Sequence, residues 1–294
     1  MTAFVEGVLR GLGVGSVYAL LALGFVIIYK ATRVISFAQP ALMLAGVVLV
    51  SHLAGVTGFW LAVPVAAALT AVLALGIERT AVRPMVGRPA FVVAIITLGI
   101  DVVVRVVVNG FVGLDVRNVG DPWGLRTVGF GPVHMEQRHL AAVVAATVLV
   151  AGLFAFFRYT RMGLAMRAAA DDQEAALAQG VSVGAVFALS WAIAGALAAV
   201  GGTFAAAGAG FDGTLWLTAL IALPVIILGG LDSLPGAVLG GLVVGVAQEL
   251  VGTYQNDLPW LGGNVSVITP YVLMLIVLLV RPYGLFGTRE VERV

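Results

Sequence analysis

The chain alternates long runs without formal charge and short polar connections, and the run lengths set its elements. Gly11 to Tyr29 is nineteen residues without charge, enough to cross about 30 Å of hydrocarbon as a helix. Lys30 and Arg33 follow. Val34 to Ile77 is uncharged over forty-four residues, and Gly55-Val56-Thr57-Gly58 divides it into a second and a third span. Glu78, Arg79, Arg83 and Arg88 make a charged turn. Pro89 to Gly113 is a fourth span, and Phe111 to His139 is a long connection rich in Gly and Pro. Leu140 to Phe157 is the fifth span, and Gly184 to Gly208 the sixth. Gly213 to Leu231 and Ser233 to Gln248 are separated only by Asp232, and each is either a full crossing or a half-helix. Leu258 to Val280 closes the apolar part. In lipid such runs must satisfy their own backbone, so they are read as helices. The expectation is an all-α, polytopic integral membrane protein. One domain covers residues 1–294, with eight or nine transmembrane or half-membrane helices.

Composition agrees. Hydrophobic residues make up 61% of the 294 and charged residues 11%, against about 25% charged in soluble domains. A net charge of +1 with scattered arginines leaves no basic patch for nucleic acid. There is no cysteine, which excludes disulfides and thiolate chemistry. The first apolar run is too long for the core of a signal peptide and is read as a retained span. If every run crosses, Lys30, Arg33, Arg79, Arg83, Arg88, Arg158, Arg161, Arg167, Arg281, Arg289 and Arg293 share one side. Arg10, Arg117, Arg126 and Arg138 share the other. The excess of basic residues marks the cytoplasmic side, which puts the N-terminus outside and the C-terminus inside.

Between the fifth and sixth spans lies a polar island, residues 158–183, RYTRMGLAMRAAADDQEAALAQGVSV. Asp171 and Glu174 have the spacing of a capping box, with Asp171 at the N-cap, and Gly180 offers a C-terminal stop. A helix over Asp172 to Gln179 is too short to hold itself in water. Capped and studded with alanine, it suits insertion into a groove on another protein; the plain alternative is a helical cytosolic loop. Pairs of glycines four apart, Gly11 and Gly15, Gly236 and Gly240, Gly241 and Gly245, have the spacing that lets helix backbones approach.

Three chemistries find little support. Gly180-Val181-Ser182-Val183-Gly184 has the form of a nucleophile elbow but lacks the strand that should precede it. His52, His134 and His139 show no ligand spacing. Lys30 is the only lysine and is followed by alanine, so no phosphate loop of the G-x-x-x-x-G-K-[ST] type exists. Asp101 and Arg105 remain, four apart in an apolar run with Thr97 one turn earlier. Charges at membrane depth face a cavity or each other; both readings stay open, and Asp101 would serve a proton-coupled secondary carrier.

The residues also carry a resemblance. GSVYALLALGFVIIYKATRVISFAQPALMLAG, TRMGLAMRAAADDQEAALAQGV and ILGGLDSLPGAVLGGLVVGVAQEL followed by LLVRPYGLFG together resemble the LivH-type permease of branched-chain amino acid ABC importers. Glu174-Ala175-Ala176 with Gly180 is similar to the EAA-x3-G loop that docks on the ATPase. By that resemblance Asp171, Asp172, Glu174, Ala175, Ala176, Leu177 and Gly180 are the ATPase-coupling residues. Ser36, Phe37 and Gln39, with Thr97, Asp101 and Arg105, are candidates for the translocation pathway. The resemblance implies a multi-pass protein of the bacterial inner membrane. It also implies a second related permease subunit, two ABC ATPases and an extracytoplasmic substrate-binding protein. This chain would bind no cofactor, ATP and Mg belonging to the ATPases. The substrate implied is a branched-chain or related small amino acid, with urea or short amides as alternatives. Two departures stand out: Ser36-Phe37-Ala38-Gln39-Pro40 replaces the more usual Asn-Phe-Ala-His-Gly, and no Leu-Pro follows near Ser190.

Overall fold

The computed structural model describes residues 2–85, 87–113, 115–255 and 264–288. The apolar runs are helices: α1 (Thr2–Thr32), α2 (Gln39–Thr57), α3 (Phe59–Ile77), α4 (Ala90–Val112) and α5 (Gln137–Tyr159). A hairpin of β1 (Thr127–Phe130) and β2 (Val133–Glu136) precedes α5, with Thr127 opposite Glu136. The island holds two helices, α6 (Arg161–Asp171) and α7 (Gln173–Ala178). Then come α8 (Val183–Ala206), α9 (Trp216–Leu220), α10 (Ala222–Gly229), α11 (Leu234–Tyr254) and α12 (Val265–Val280).

Seven of the described helices are long and apolar enough to cross a membrane; Trp216–Gly229 and Val265–Val280 are shorter apolar segments. The expected break between the second and third spans falls at Gly58, which has φ +77°. The expected run 213–231 is a broken helix. Pro224 lacks the N–H that would reach Leu220 and its ring crowds that carbonyl, so the helix interrupts between Leu220 and Ala222. Its two ends nevertheless lie at opposite faces. Phe211 pairs with Arg117 beyond the end of α4, and the carbonyls of Leu228 and Gly229 accept from Leu285 and Phe286 beyond α12. Residues 258–263, the start of the expected last span, lie outside the described residues.

α1 is the axis of the bundle, buried at every position from Gly15 to Ile28. α11 runs antiparallel along it. A Cβ on Gly11 would meet the backbone of Val246 at 2.5 Å, and one on Gly15 the backbone of Gly241 and Leu242 at 2.8 Å. α8 fills the next side: a Cβ on Gly195 would stand 2.9 Å from the Thr70 carbonyl of α3. Two of the three glycine pairs read from the sequence thus face each other across α1 and α11, while Gly236 and Gly240 pack on α10.

Basic residues lie at both ends of the bundle. On one face Arg33 Nη2 donates to the Ala170 carbonyl (2.8 Å) and Arg83 Nη2 to the Gly184 carbonyl (2.9 Å). On the other, the His134 amide donates to Glu6 Oε1 (2.9 Å) and Arg138 Nη1 to the Ala207 carbonyl (3.1 Å). Arg289 and Arg293 lie outside the described residues.

Two expectations follow. Gly15→Leu should destabilise the purified chain by overpacking, a cost of about 1–3 kcal/mol, while Gly76→Leu, with nothing within 4 Å of its Cβ position, should leave the melting temperature unchanged; equal melting would refute the role of the α1–α11 contact. Sidedness is testable with single cysteines. Exposed Ala178→Cys should label from the cytoplasm and exposed Thr127→Cys from outside, and labelling of both from one side would overturn the topology.

Candidate coupling helix and membrane-embedded polar site

The island is a helix–helix corner built by local capping. Thr160 Oγ1 accepts from the Gly163 amide at 2.9 Å and starts α6. Gly163 is required there, because a Cβ would meet the Phe157 backbone at 2.7 Å. Asp171 is the last residue of α6 and not a cap, which corrects the expected register. Asp172 is extended (φ −151°, ψ 112°) and its Oδ1 accepts from the Ala175 amide at 3.0 Å, so it is the N-cap of α7. Glu174 is therefore in the first turn, at the favourable end of the helix dipole, and does not close a capping box. At the other end Gly180 has φ +81°. Its amide reaches the Leu177 carbonyl (2.9 Å) and that of Val181 reaches Ala176 (3.0 Å), a Schellman stop.

What α7 presents follows from its short length. Ala176 is its one buried residue, while Asp172, Glu174, Ala175, Leu177 and Gly180 are exposed, Leu177 by 56%. Its tether to the bundle runs through Gln173, whose Nε2 donates to the Ala31 carbonyl at the end of α1 (2.9 Å). A neighbouring pin went unread in the sequence. Glu78, 1% exposed, pairs with Arg83 at 3.0 Å inside a π-helical turn, Glu78–Val82, that ends α3. Arg83 in turn ties this turn to the start of α8.

Ser182, the residue of the elbow-like motif, is the N-cap of α8: its Oγ accepts from the Ala185 amide at 3.4 Å. That explains a serine flanked by glycines in a loop-to-helix turn.

Within the membrane depth, α4 carries a polar stripe. Thr97, Asp101, Arg105 and Asn109 recur every four residues, which stacks them on one face over about 18 Å. The opposite face is valine, with Val102, Val103, Val106 and Val107 all exposed. Thr97 Oγ1 accepts from the Phe37 amide (3.0 Å) in the loop before α2. Asp101 is 3% exposed, and its Oδ2 accepts from Arg105 Nε at 2.7 Å and stands 2.6 Å from Nη2. Oδ1 is buried without a hydrogen-bond partner at standard geometry, although the Ala41 amide in the first turn of α2 is near enough to act on the carboxylate. The Arg105 guanidinium lies 3.8 Å from the ring centre of Trp216 in α9. Asn109, beside Gly213, extends the stripe and was missed; its four-residue spacing was the available signal.

Ser36 and Gln39 are placed differently. Both are buried, Gln39 completely. Gln39 Nε2 donates to the Ala194 carbonyl of α8 at 3.1 Å, and the amide presses on Gly24 of α1. Ser36 Oγ accepts from the Ala38 amide. The structure thus brings Phe37, Thr97, Asp101 and Arg105 into one locus and puts Gln39 between α1 and α8.

A second polar cluster, also missed, fills a cavity of about 280 Å³ at the opposite face. There Tyr18 donates to Gln248 (2.9 Å), and Arg138 pairs with Glu136 at 2.5 Å.

Comparison with known proteins decides the family. The profile described as branched-chain amino acid transport system / permease component matches residues 7–280. The chain belongs to this family. LivH of Salmonella typhimurium, a high-affinity branched-chain amino acid transport system permease protein, is 28% identical over 99% of this chain and 98% of its own. LivM of Escherichia coli K12, a permease protein of the same kind of system, is 26% identical over 81% of this chain and 59% of its own. The structure of PsaBC from Streptococcus pneumoniae in complex with Fab gives a TM-score of 0.47 at 16% identity, over 96% of this chain and 91% of that one. As a member of this permease family the chain is a multi-pass cell-membrane protein, with the polar stripe of α4 inside its membrane part.

The ion pair in that stripe makes a testable prediction. A lone central charge costs about 2.5–3.5 kcal/mol, so removing one partner leaves the other uncompensated. Asp101→Asn and Arg105→Gln should each lower folded yield, and the double mutant should recover most of it. The swap Asp101→Arg with Arg105→Asp should recover less, because the cation then leaves Trp216. Single mutants that express normally, or a double no better than the worse single, would show no coupling between the two sites.

Proposed function

We propose that the chain is one of the two membrane-spanning permease subunits of an ABC importer for branched-chain or related small amino acids. Its partners are a second, related permease of the LivM kind, two cytosolic ABC ATPases and an extracytoplasmic substrate-binding protein. ATP and Mg are bound by the ATPases, and this chain supplies no nucleotide site. The observation that carries the reading is α7: a helix capped at both ends, held through Ala176 and Gln173, with Glu174 and Leu177 facing outward. It sits on the face rich in basic residues, which the charge bias assigns to the cytoplasm. An exposed leucine on so short a helix is poorly used unless another protein covers it.

In this mechanism ATP binding draws the two ATPases together and α7 moves with them. The displacement passes into α6 and the end of α1 through Arg33 and Gln173, and the bundle changes the side on which substrate has access. The chemistry of transport lies in closure and opening, and no bond in the substrate changes.

Glu174→Arg tests the reading. Glu174 caps nothing, so the substitution costs only the dipole interaction, about 0.3–1 kcal/mol, and the chain should fold and insert normally. Uptake in reconstituted vesicles and substrate-stimulated ATP hydrolysis should both be lost. Asp172→Ala, which removes the cap at about 0.5–2 kcal/mol, should loosen α7 and weaken both partially. Full stimulation in Glu174→Arg would remove α7 as the coupling element. Uptake that followed a pH gradient and ignored nucleotide would instead identify a secondary carrier.

A further inference from the structure

The face that carries α7 also holds a cavity of about 660 Å³, bounded by the last turns of α1 and α5 and by α6. Lys30, Arg158 and Arg167 line it, and among the described residues no carboxylate does. Among the described residues none of the three has an ion-pair partner within 4.0 Å. The remaining wall is apolar, with Ile27, Phe154 and Phe157. Three cations around one apolar hollow repel each other, and the apolar wall excludes much of the water that would screen them.

Depth narrows the choice of counter-charge. α1 ends at Thr32 and α5 at Tyr159, so the cations stand where membrane-crossing helices emerge. Tyr159, 77% exposed, stands at the same level, as interfacial aromatics do. Below the cations Phe154, 37% exposed, opens the cavity sideways toward the hydrocarbon. The hollow is therefore charged at headgroup depth and apolar beneath.

We propose that this cavity binds a phospholipid with an anionic headgroup. Its phosphate is held among Lys30, Arg158 and Arg167, and an acyl chain lies along Ala151 and Phe154. Basic hollows between helices at the cytoplasmic surface suit such headgroups, and nearby lysines and arginines add to the attraction one by one. The site has a mechanical consequence. Arg167 and Met166 belong to α6, which leads directly into α7, and Ala31, also in the wall, accepts the hydrogen bond from Gln173. A bound lipid therefore bridges the two elements that fix the position of α7.

The test needs neither ATP nor transport, so it stands or falls separately from the importer reading. The full chain, alone and assembled with its partner subunits, is placed in phosphatidylcholine bilayers containing a photoreactive phosphatidylglycerol. Cross-links are then mapped by mass spectrometry. They should concentrate on the ends of α1 and α5 and on α6, and unlabelled phosphatidylglycerol should compete. Neutralising Lys30, Arg158 and Arg167 to Gln should reduce labelling by about fivefold per charge, the equivalent of about 1 kcal/mol each. Arg126→Gln, an exposed cation on the other face, should keep full labelling. Wild-type labelling in the triple variant would overturn the proposal. So would inorganic phosphate competing as well as the lipid, which means a soluble-anion site, or loss of labelling on assembly, which means a partner chain fills the hollow. Should the triple variant not fold, the wild-type map decides alone: cross-links spread evenly around the bundle refute a site.

Discussion

Everything else in this protein depends on how closely α11 can approach α1. Lipid tails are as apolar as the side chains they would displace, so burial in the membrane gives helices little reason to associate, and packing must supply it. Here the supply is glycine: the α1 backbone at Gly11 and Gly15 lies against the α11 backbone at Gly241 and Gly245, with no room for a methyl group. That contact makes α1 the axis. It also fixes where the end of α1 stands, and with it Ala31 and Arg33, the two residues that hold α6 and α7. A loosened α1–α11 seam would therefore reach α7 without any change in the island itself.

The same logic explains how charge is tolerated inside. Asp101 and Arg105 neutralise each other within one turn of α4, and Arg105 adds the face of Trp216. The lipid-facing side of α4 is left to valines. A buried ion pair is weak evidence for stability in itself. In α4 it does set orientation, because only one rotation of the helix buries Thr97 and Asp101 and turns the half-buried Arg105 inward with them. The broken crossing at Leu220 brings Trp216 to that place, so Pro224 and the ion pair belong to one arrangement.

Much of this was legible in the sequence, and the gaps have physical causes. Uninterrupted apolar runs gave the spans, because lipid leaves the backbone no other choice. Gly58 and Gly180 were legible because each supplies a positive φ that other residues resist. The register of the α7 cap was misread by one residue. Adjacent aspartates both satisfy a cap pattern, and only the extended backbone at Asp172 decides between them. α6 went unseen because its buried face is methyls and one methionine, too small to stand out as a stripe. The β1–β2 hairpin lies in a connection where strand length gives little pattern. The pin at Glu78 was hidden for another reason: a charged turn between spans reads as solvated, and its burial depends on α8, a hundred residues later.

The polar stripe of α4 and the short helix α7 are joined by a short route. Gln173 holds the end of α1, and the chain then runs from Arg33 through Val34 and Ile35 to Phe37, whose amide donates to Thr97 on the polar stripe. Arg33 sits in that link with φ +56°, a conformation that costs a non-glycine residue energy and that its bond to Ala170 helps to hold. Spatial continuity alone does not make a pathway; an element with two arrangements is needed. The link from Arg33 to Ala38 is short, non-helical and strained at Arg33, whereas the elements it joins are regular helices. It ends at Gln39, whose side chain is wedged between α1 and α8 with Oε1 left unpartnered. The loop before α2 thus gathers the bond to α6, the strained backbone at Arg33 and the contact with the polar stripe into one short segment.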